Sequence, residues 1–391
     1  GIVMIYYIKK NWYLIVFILT IFSGCEGNDD HRLAGDNLSP ASSRLSELLR
    51  DDDQAFPRAM FVRDFAFPAD HGPHTDYRNE WWYFTGNLDA AGGRRFGYEL
   101  TIFRFALSPE FEPAGTSAWE TNQVYIGHLA LTDVENGEFY VAQRYSRGAA
   151  GLAGAAELPF RVWLDDWSIA ASATAIDDTW AVEAADRQFG IRLSVTPKKP
   201  IVLNGDRGLS QKSAEPGNAS YYYSIPRLHT EGIVTVDGTE IPVAGTSWLD
   251  REWGSSALAR NQQGWDWFAL QLSDGTDLMF YMLRQNDGTP DSQSAGTWVD
   301  AAGGGSHLAL DDVELAVTEY WESERGGRYP SGWQIRIPSR DVQLSVKPVL
   351  ANQELETSVR YWEGAVDVSG TSGGVPIDGR GYVELTGYAS D

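Results

Sequence analysis

The stretch Ile233–Val243, which reads Ile-Val-Thr-Val-Asp-Gly-Thr-Glu-Ile-Pro-Val, decides the fold class. β-Branched residues flank Asp237-Gly238 on both sides, and this dipeptide favours the two-residue turn of a β-hairpin. The same arrangement recurs around Asn136-Gly137 and Asp274-Gly275. No long segment shows an apolar period of 3.6 residues, which a helix requires. The sequence therefore predicts an all-β protein with antiparallel strands, as in barrels and sandwiches.

The composition excludes several classes of function. The 391 residues include 31 Lys+Arg and 54 Asp+Glu, which gives a formal net charge of -23 at pH 7. This balance argues against a nucleic-acid partner, because phosphate binding needs a basic surface. The single cysteine, Cys25, leaves no disulfide to form within the chain. Single domains usually span about 100 to 200 residues, so the length predicts two domains.

The N-terminal residues 1–25 have the features of a secretion signal. Lysines precede the uncharged stretch Trp12–Phe22, whose length suits the apolar region of a signal peptide. Small residues then lead into Cys25, which resembles the bacterial lipobox, where the cysteine is lipidated. An uncleaved membrane anchor is the alternative. We expect an extracytoplasmic lipoprotein, held by Cys25 at the periplasmic face of the outer membrane.

The remaining chain divides into a tether and two β domains. Residues 26–60 are polar and acidic, which predicts a tether, and aromatic strands begin at Phe61. An internal repeat favours two related domains, which we place at 61–235 and 236–391. In this repeat, Trp81, Tyr83, Phe84 and Leu88 recur at a constant offset as Trp265, Trp267, Phe268 and Leu272.

Two segments combine polar and aromatic residues more densely than a hairpin requires. They are His74–Phe84 and Gly245–Gly254, and a weaker third segment spans Lys199–Gly208 with Tyr221–Pro226. Together they resemble the family of bacterial AttH proteins and carotenoid 1,2-hydratases, often described as predicted secreted hydrolases. The resemblance covers the chain from about Phe61 to its C-terminus. It implies two tandem lipocalin-like antiparallel β-barrel domains.

The resemblance also implies acid catalysis at a carbon–carbon double bond. Hydration of an isolated alkene needs a carboxylic acid that an apolar environment keeps protonated. In the hydratase branch, an aspartate preceded two residues earlier by an aromatic is implicated, and these positions fall on Asp250 and Trp248. A histidine and an aromatic on the preceding strand correspond to Tyr221 and Tyr223. Tyrosine replaces the histidine here, which favours the AttH-like branch over carotenoid hydration.

Other residues are candidates for binding the ligand or for supporting the site. We expect aromatic walls inside the barrels, formed by Trp81, Tyr83, Trp253, Trp265 and Trp267. Arg78 and Glu80 are predicted to form a buried ion pair that sets strand register. Arg251 and Glu252 are either a salt-bridged strand end or charged support of the ligand site. We predict no metal site, since Asp70, His71, His74 and Asp76 surround a Gly-Pro loop.

These observations leave three functions open. The first is an extracytoplasmic lipocalin-like protein that binds a large hydrophobic molecule, such as an isoprenoid or another lipid. The second is a hydratase or isomerase that needs no cofactor, with Asp250 as proton donor and Tyr221 or Tyr223 near the water. The third is a surface attachment protein whose barrels are filled with side chains, because small barrels can be packed solid.

Overall fold

A computed structural model describes residues 55–110, 117–171, 178–256 and 258–389. Within these ranges the chain forms β-strands and a few short 3-10 turns, which confirms the all-β class. No helix among the described residues is both long and apolar enough to cross a bilayer. The predicted signal segment 1–25, with Cys25, and most of the predicted tether lie outside the described residues.

The first sheet contains 13 of the described strands, all paired antiparallel. Its central part follows the order β4-β3-β2-β1-β13-β12-β9-β8-β7-β6-β5, and β10 and β11 pair with β12. The bounds are β1 Asn79–Ala90, β2 Arg95–Ala106, β3 Gln123–Asp133, β4 Glu138–Arg147, β5 Ala153–Ala156, β6 Arg161–Leu164, β7 Trp167–Ala171, β8 Trp180–Ala185, β9 Phe189–Pro197, β10 Val202–Leu203, β11 Leu209–Gln211, β12 Ala219–Val236 and β13 Thr239–Gly254.

The second sheet contains 10 of the described strands and is also antiparallel. Its order is β17-β16-β15-β14-β23-β22-β20-β19-β18, and β21 pairs with β22. The bounds are β14 Gln262–Leu272, β15 Asp277–Gln285, β16 Ala295–Val299, β17 Gly305–Ala309, β18 Glu314–Glu322, β19 Arg328–Ile337, β20 Val342–Pro348, β21 Glu354–Glu356, β22 Arg360–Ser372 and β23 Val375–Leu385.

The hairpin that decides the fold class is present, but it does not separate the domains. Val236 pairs with Thr239 across the Asp237-Gly238 turn, as the sequence predicts. Both strands of this hairpin belong to the first sheet, because β13 also pairs with β1 from Asn79↔Gly254 to Ala90↔Val243. The chain therefore changes sheets between β13 and β14, beyond the predicted boundary between 235 and 236.

Each sheet encloses its own apolar core in a near-barrel arrangement. Fully buried residues such as Trp82, Leu100 and Val182 fill the first core, and Trp333 and Leu344 belong to the second. A third layer of buried side chains lies between the sheets. It includes Tyr83, Trp248, Trp267, Ala269 and Tyr382. The two sheets are therefore packed against each other through their outward-facing residues.

The last residues of the predicted tether are part of the folded structure. Phe56 and Ala59 are buried, and Ala59 belongs to the core of the first sheet. The Ser255 hydroxyl donates a hydrogen bond to the Pro57 carbonyl. The tether prediction is therefore wrong for this end, because apolar side chains within an acidic stretch can still pack against the first sheet.

Gly97 marks a close approach of the two sheets and gives a test of their packing. A Cβ atom added at Gly97 would lie 2.6 Å from the Cβ of Ala365 on β22. Gly97→Leu is expected to lower the free energy of unfolding by about 1–3 kcal/mol, because overpacking forces the neighbours apart. Urea unfolding measures this change. Ala309→Leu, at an exposed position on β17, is the control; an equal loss in both variants would contradict the close approach.

Candidate functional site

A cavity lies between the two sheets and is bounded by side chains from both. Its volume, which includes the part that is open to solvent, is about 690 Å³. The open space is not inside a barrel, where the sequence analysis expected the ligand. Aromatic and acidic groups dominate its wall, which consists of Trp81, Tyr83, Thr101, Phe103, Lys212, Tyr222, Asp250, Glu252, Trp265, Trp267, Tyr281, Leu283, Tyr361, Glu363 and Glu384.

Strand alternation divides the Gly245–Gly254 segment between this cavity and the first core. Successive side chains of a strand point to opposite faces. Asp250 and Glu252 line the cavity, whereas Leu249 and Trp253 are buried in the first core. The Gly245–Gly254 segment therefore contributes side chains both to the cavity and to the first core.

Asp250 is a buried carboxyl group held by neutral donors. Its Oδ1 accepts hydrogen bonds from Trp248 Nε1 at 2.7 Å and from the Ser224 hydroxyl, and its Oδ2 accepts one from the Tyr222 hydroxyl. Burial raises the pKa of Asp250 to about 6; the hydrogen bonds oppose this rise, and the nearby Glu252 carboxylate adds to it. A carboxyl group with this pKa gains and loses protons near neutral pH, as a general acid requires.

A β-bulge decides which tyrosine contacts Asp250. The pairing of β12 with β13 shifts register between Ile225 and Leu228, so that Ser224 rather than Ile225 lies opposite Asp250. A shift of one residue turns every following side chain to the other face. Tyr222 therefore faces the cavity, and the predicted Tyr221 and Tyr223 face the first core.

Tyr221 and Tyr223 take part in interior contacts instead. The Tyr221 hydroxyl donates to the Phe61 carbonyl at 2.8 Å, and the Tyr223 hydroxyl lies 2.6 Å from His71 Nδ1. Both tyrosines belong to the apolar core of the first sheet. Neither tyrosine lines the cavity, where the sequence predicted one of them near the water, and Tyr222 contacts Asp250 instead.

Most of the aromatic residues predicted to bind the ligand do line the cavity. Trp81 and Tyr83 on β1 are matched by Trp265 and Trp267 on β14, so the internal repeat places equivalent residues on the facing sheets. Trp253 is the exception. Its ring stacks on His74 with ring centroids 3.7 Å apart, inside the first sheet.

Glu252 forms an ion pair that the sequence did not reveal. Lys212 Nζ lies 2.8 Å from Glu252 Oε1, and it also lies above the Tyr222 and Tyr281 rings, at 5.0 and 4.5 Å from their centroids. Burial lowers the pKa of Lys212, but Glu252 outweighs this effect and the net change is upward. Lys212 is therefore a charged side chain in the cavity wall whose charge Glu252 balances.

A second group of carboxyls, which we call the Glu363 cluster, consists of Glu99, Glu363 and Glu384. The Tyr83 hydroxyl donates to Glu363 Oε1, and the Thr101 hydroxyl donates to Glu99 Oε1. Burial raises the pKa of Glu384 to about 8, and it raises those of Glu99 and Glu363 well above their ordinary range. Sequence reasoning missed this cluster, although the sequence carries a signal for it. Each of the three glutamates is an isolated acid in an apolar strand.

Glu80 is buried as predicted, but its ion-pair partners differ from the prediction. Arg104 and Arg251 each donate to one Glu80 carboxylate oxygen, and all three side chains are fully buried. The predicted partner was Arg78, which lies in the bend before β1, whereas Arg104 and Arg251 reach Glu80 from the neighbouring strands β2 and β13.

The loop before β1 supports this ion-pair network. The His74 backbone N–H donates to both Glu80 carboxylate oxygens at 3.1 Å, and His74 Nε2 lies 2.9 Å from Asp70 Oδ1. Arg251 also donates to the Gly72 carbonyl at 2.6 Å. In the part of the chain that the structure describes, no group of three or more His, Cys, Asp or Glu side chains is arranged to hold a metal ion.

Comparison with known proteins places this architecture in a family. The sequence profile of AttH-like proteins matches residues 58–388, which include both sheets and the cavity. The chain belongs to the AttH-like family. A crystal structure assigned to AttH from Nitrosomonas europaea is 34% identical and superposes with a TM-score of 0.75, covering 85% of this chain and 100% of that one.

Two curated enzymes resemble part of this AttH-like chain. Kievitone hydratase from Fusarium solani subsp. phaseoli is 24% identical over 204 residues, which are 50% of this chain and 56% of the relative. Dehydratase asqC from Emericella nidulans is 25% identical over 199 residues, 48% of this chain and 55% of the relative. The chain thus matches little more than half the length of these curated relatives.

Proposed function

We propose that this AttH-like protein is a hydro-lyase, which adds water to or removes water from a hydrophobic molecule in the cavity between the sheets. The observation that carries the proposal is the position of Asp250. Its carboxyl group is buried, has a pKa raised to about 6, and faces an aromatic wall. The names of the two curated relatives, a hydratase and a dehydratase, support the same reaction class.

Asp250 and the aromatic rings near it can together carry out a hydration. Protonated Asp250 donates its proton to one alkene carbon, and the other carbon becomes a cation that the faces of aromatic rings stabilise. The oxygen of a water molecule then bonds to this carbon, and a proton of that water returns to the Asp250 carboxylate. One water is added and the acid is regenerated. Dehydration is the same sequence in reverse.

Tyr222 acts as a positioning residue for this acid. Its hydroxyl donates to Asp250 and accepts a hydrogen bond from Trp267 Nε1 at 3.2 Å. Burial raises its pKa well above the ordinary value, with the Asp250 carboxylate as the next cause, so the hydroxyl stays protonated. Together with Ser224 and Trp248 it holds the carboxyl group in one orientation toward the cavity.

Isotope labelling tests the reaction class. The full chain is incubated in ¹⁸O-labelled water with a panel of acyclic polyenes and terpenoid tertiary alcohols, and the products are analysed by mass spectrometry. We expect a polyene to gain one labelled water or an alcohol to lose water. A polyene that co-elutes with the protein without conversion would favour a carrier and contradict the proposal. The extracytoplasmic location stays a prediction from residues 1–25.

A further inference from the structure

Apart from Glu252, which Lys212 neutralises, the carboxyl groups around the cavity lack the cationic partners of other buried acids. Away from the cavity, Arg or Lys side chains neutralise most buried acids. These acids are Asp70, Glu80, Asp133, Asp266, Asp277 and Glu354. Asp250 and the Glu363 cluster form no ion pair with a cationic side chain among the described residues. A buried carboxylate without a counter-ion is costly, and such groups occur mainly at functional sites.

Among the described residues, Glu99 and Glu363 each have one unpaired carboxyl oxygen. Glu99 does not line the cavity, so Glu363 is the member of the cluster with an oxygen available to a ligand. Its side chain is 1% exposed and lines the cavity. Tyr83 occupies Oε1, whereas Oε2 has no hydrogen-bond partner within the described part of the chain. Burying a polar atom without a partner is unfavourable, so a ligand that satisfies it binds more tightly.

The rest of the cavity wall favours a cationic ligand. The rings of Trp81, Phe103, Trp265 and Tyr361 line the same space as Glu363. The negative faces of aromatic rings attract an ammonium group, and a neighbouring carboxylate strengthens this attraction. The wall's own cation, Lys212, is already paired with Glu252.

We propose that the cavity binds a hydrophobic organic cation, with its ammonium group between Glu363, Glu384 and the aromatic rings. The substrate of the hydro-lyase would then carry a basic nitrogen apart from its reacting carbon atoms. This substrate class rests on the proposed function, because it assumes that the cavity is the substrate site. Binding of the cation itself does not depend on turnover.

Binding of a cation is coupled to release of a proton. The titratable groups that surround Glu363 are Tyr83 on β1, Glu99 on β2, Tyr361 on β22, and Tyr382 and Glu384 on β23. Asp250 and Glu252 on β13 face Glu384. Burial favours the protonated carboxyls when the cavity is empty, and a bound cation favours the carboxylates. The affinity for a cation therefore rises with pH, while that for a neutral ligand does not.

Titration calorimetry on the full-length protein tests this proposal with three probes that share a six-carbon chain and differ in charge. They are hexyltrimethylammonium, hexanol and hexanoate, and the first keeps its charge at every pH. We expect the ammonium to bind at least about tenfold more tightly than hexanol, with hexanoate weakest. We also expect its Kd to fall as the pH rises from about 7 to 9, across the pKa of Glu384, which burial raises to about 8. Equal Kd values for the ammonium and hexanol would overturn the proposal.

Substitutions test which residue causes the preference for the ammonium probe. Glu363→Gln is expected to abolish the preference for the ammonium, and Asp250→Asn to retain it. Glu319→Gln, which removes one exposed charge on β18, is the matched control and should leave all three Kd values unchanged. A preference that survives in Glu363→Gln would overturn the assignment; if that variant does not fold, the wild-type pH series decides. Selective ammonium binding without any turnover would reject the hydro-lyase but not the cation site.

Discussion

Asp250→Asn is expected to lower the rate of water addition or removal by about 10²–10⁴-fold, the usual contribution of a general acid. An amide cannot supply the proton, yet it has nearly the same shape as the carboxyl group. Its oxygen still accepts from Ser224 and Trp248, and its NH₂ group can donate to the Tyr222 hydroxyl. We therefore expect an unchanged unfolding temperature and a lost activity, measured on a substrate from the isotope panel.

The pH dependence of the wild-type rate provides a second readout of the same group. Hydration requires protonated Asp250, whose pKa is raised to about 6. The rate should therefore be highest below this pKa and should fall by about tenfold for each pH unit above it. Asp206→Asn, on an exposed turn, is the control for loss of one acid and should keep both the rate and its pH profile. Full activity in Asp250→Asn would remove this residue from the mechanism.

Local patterns in the sequence are sufficient to predict the strands and part of the site. Asp237-Gly238 forms the predicted two-residue turn, with positive φ at both residues, because this dipeptide adopts the required backbone conformation without help from distant residues. Asn136-Gly137 also lies in a hairpin, but it ends a loop of four residues between Asp133 and Glu138. The repeat likewise predicts that Trp81 and Trp265 occupy equivalent positions on their strands, but it does not predict that these positions face a cavity between the sheets. The turn dipeptides and the repeat both depend only on the local order of residues along the chain.

Features that depend on strand pairing could not be predicted in the same way. The bulge between Ile225 and Leu228 contains Pro226, a residue that strands accept at bulges, but a proline does not specify how far the pairing shifts. The bulge exchanges Tyr223 for Tyr222 at Asp250. The pairing of β13 with β1 likewise moves the change of sheets beyond Val236. Register and sheet membership are set by packing over the whole surface of a strand, which a local pattern does not contain.

The Glu363 cluster could not be predicted from local sequence either. Its members lie on β2, β22 and β23, and Glu99 is separated from Glu363 by most of the chain. Only the packing of one sheet on the other brings the three carboxyls together. An acid within an apolar strand signals that a buried charge needs an explanation, but it does not reveal whether the partner is an arginine or a ligand.

Glu80→Gln is expected to lower the free energy of unfolding by about 3–5 kcal/mol, the usual effect of removing one partner from a buried ion pair. The substitution leaves Arg104 and Arg251 charged, fully buried and without their carboxylate. The neighbouring arginines hold the pKa of Glu80 far below its ordinary value despite burial, so the carboxylate is ionised whenever the protein is folded at neutral pH. Urea unfolding at pH 7 measures the loss.

The same substitution at Glu363 should have no such effect, and this contrast separates structural from functional acids. Glu363 has no cationic partner among the described residues, so replacing its carboxyl group with an amide leaves no charge unpaired. Because burial of that carboxyl is itself unfavourable, Glu363→Gln is expected to unfold at the same urea concentration as the wild type or at a higher one. A large loss of stability in Glu363→Gln, equal to that in Glu80→Gln, would show that Glu363 supports the fold rather than a ligand.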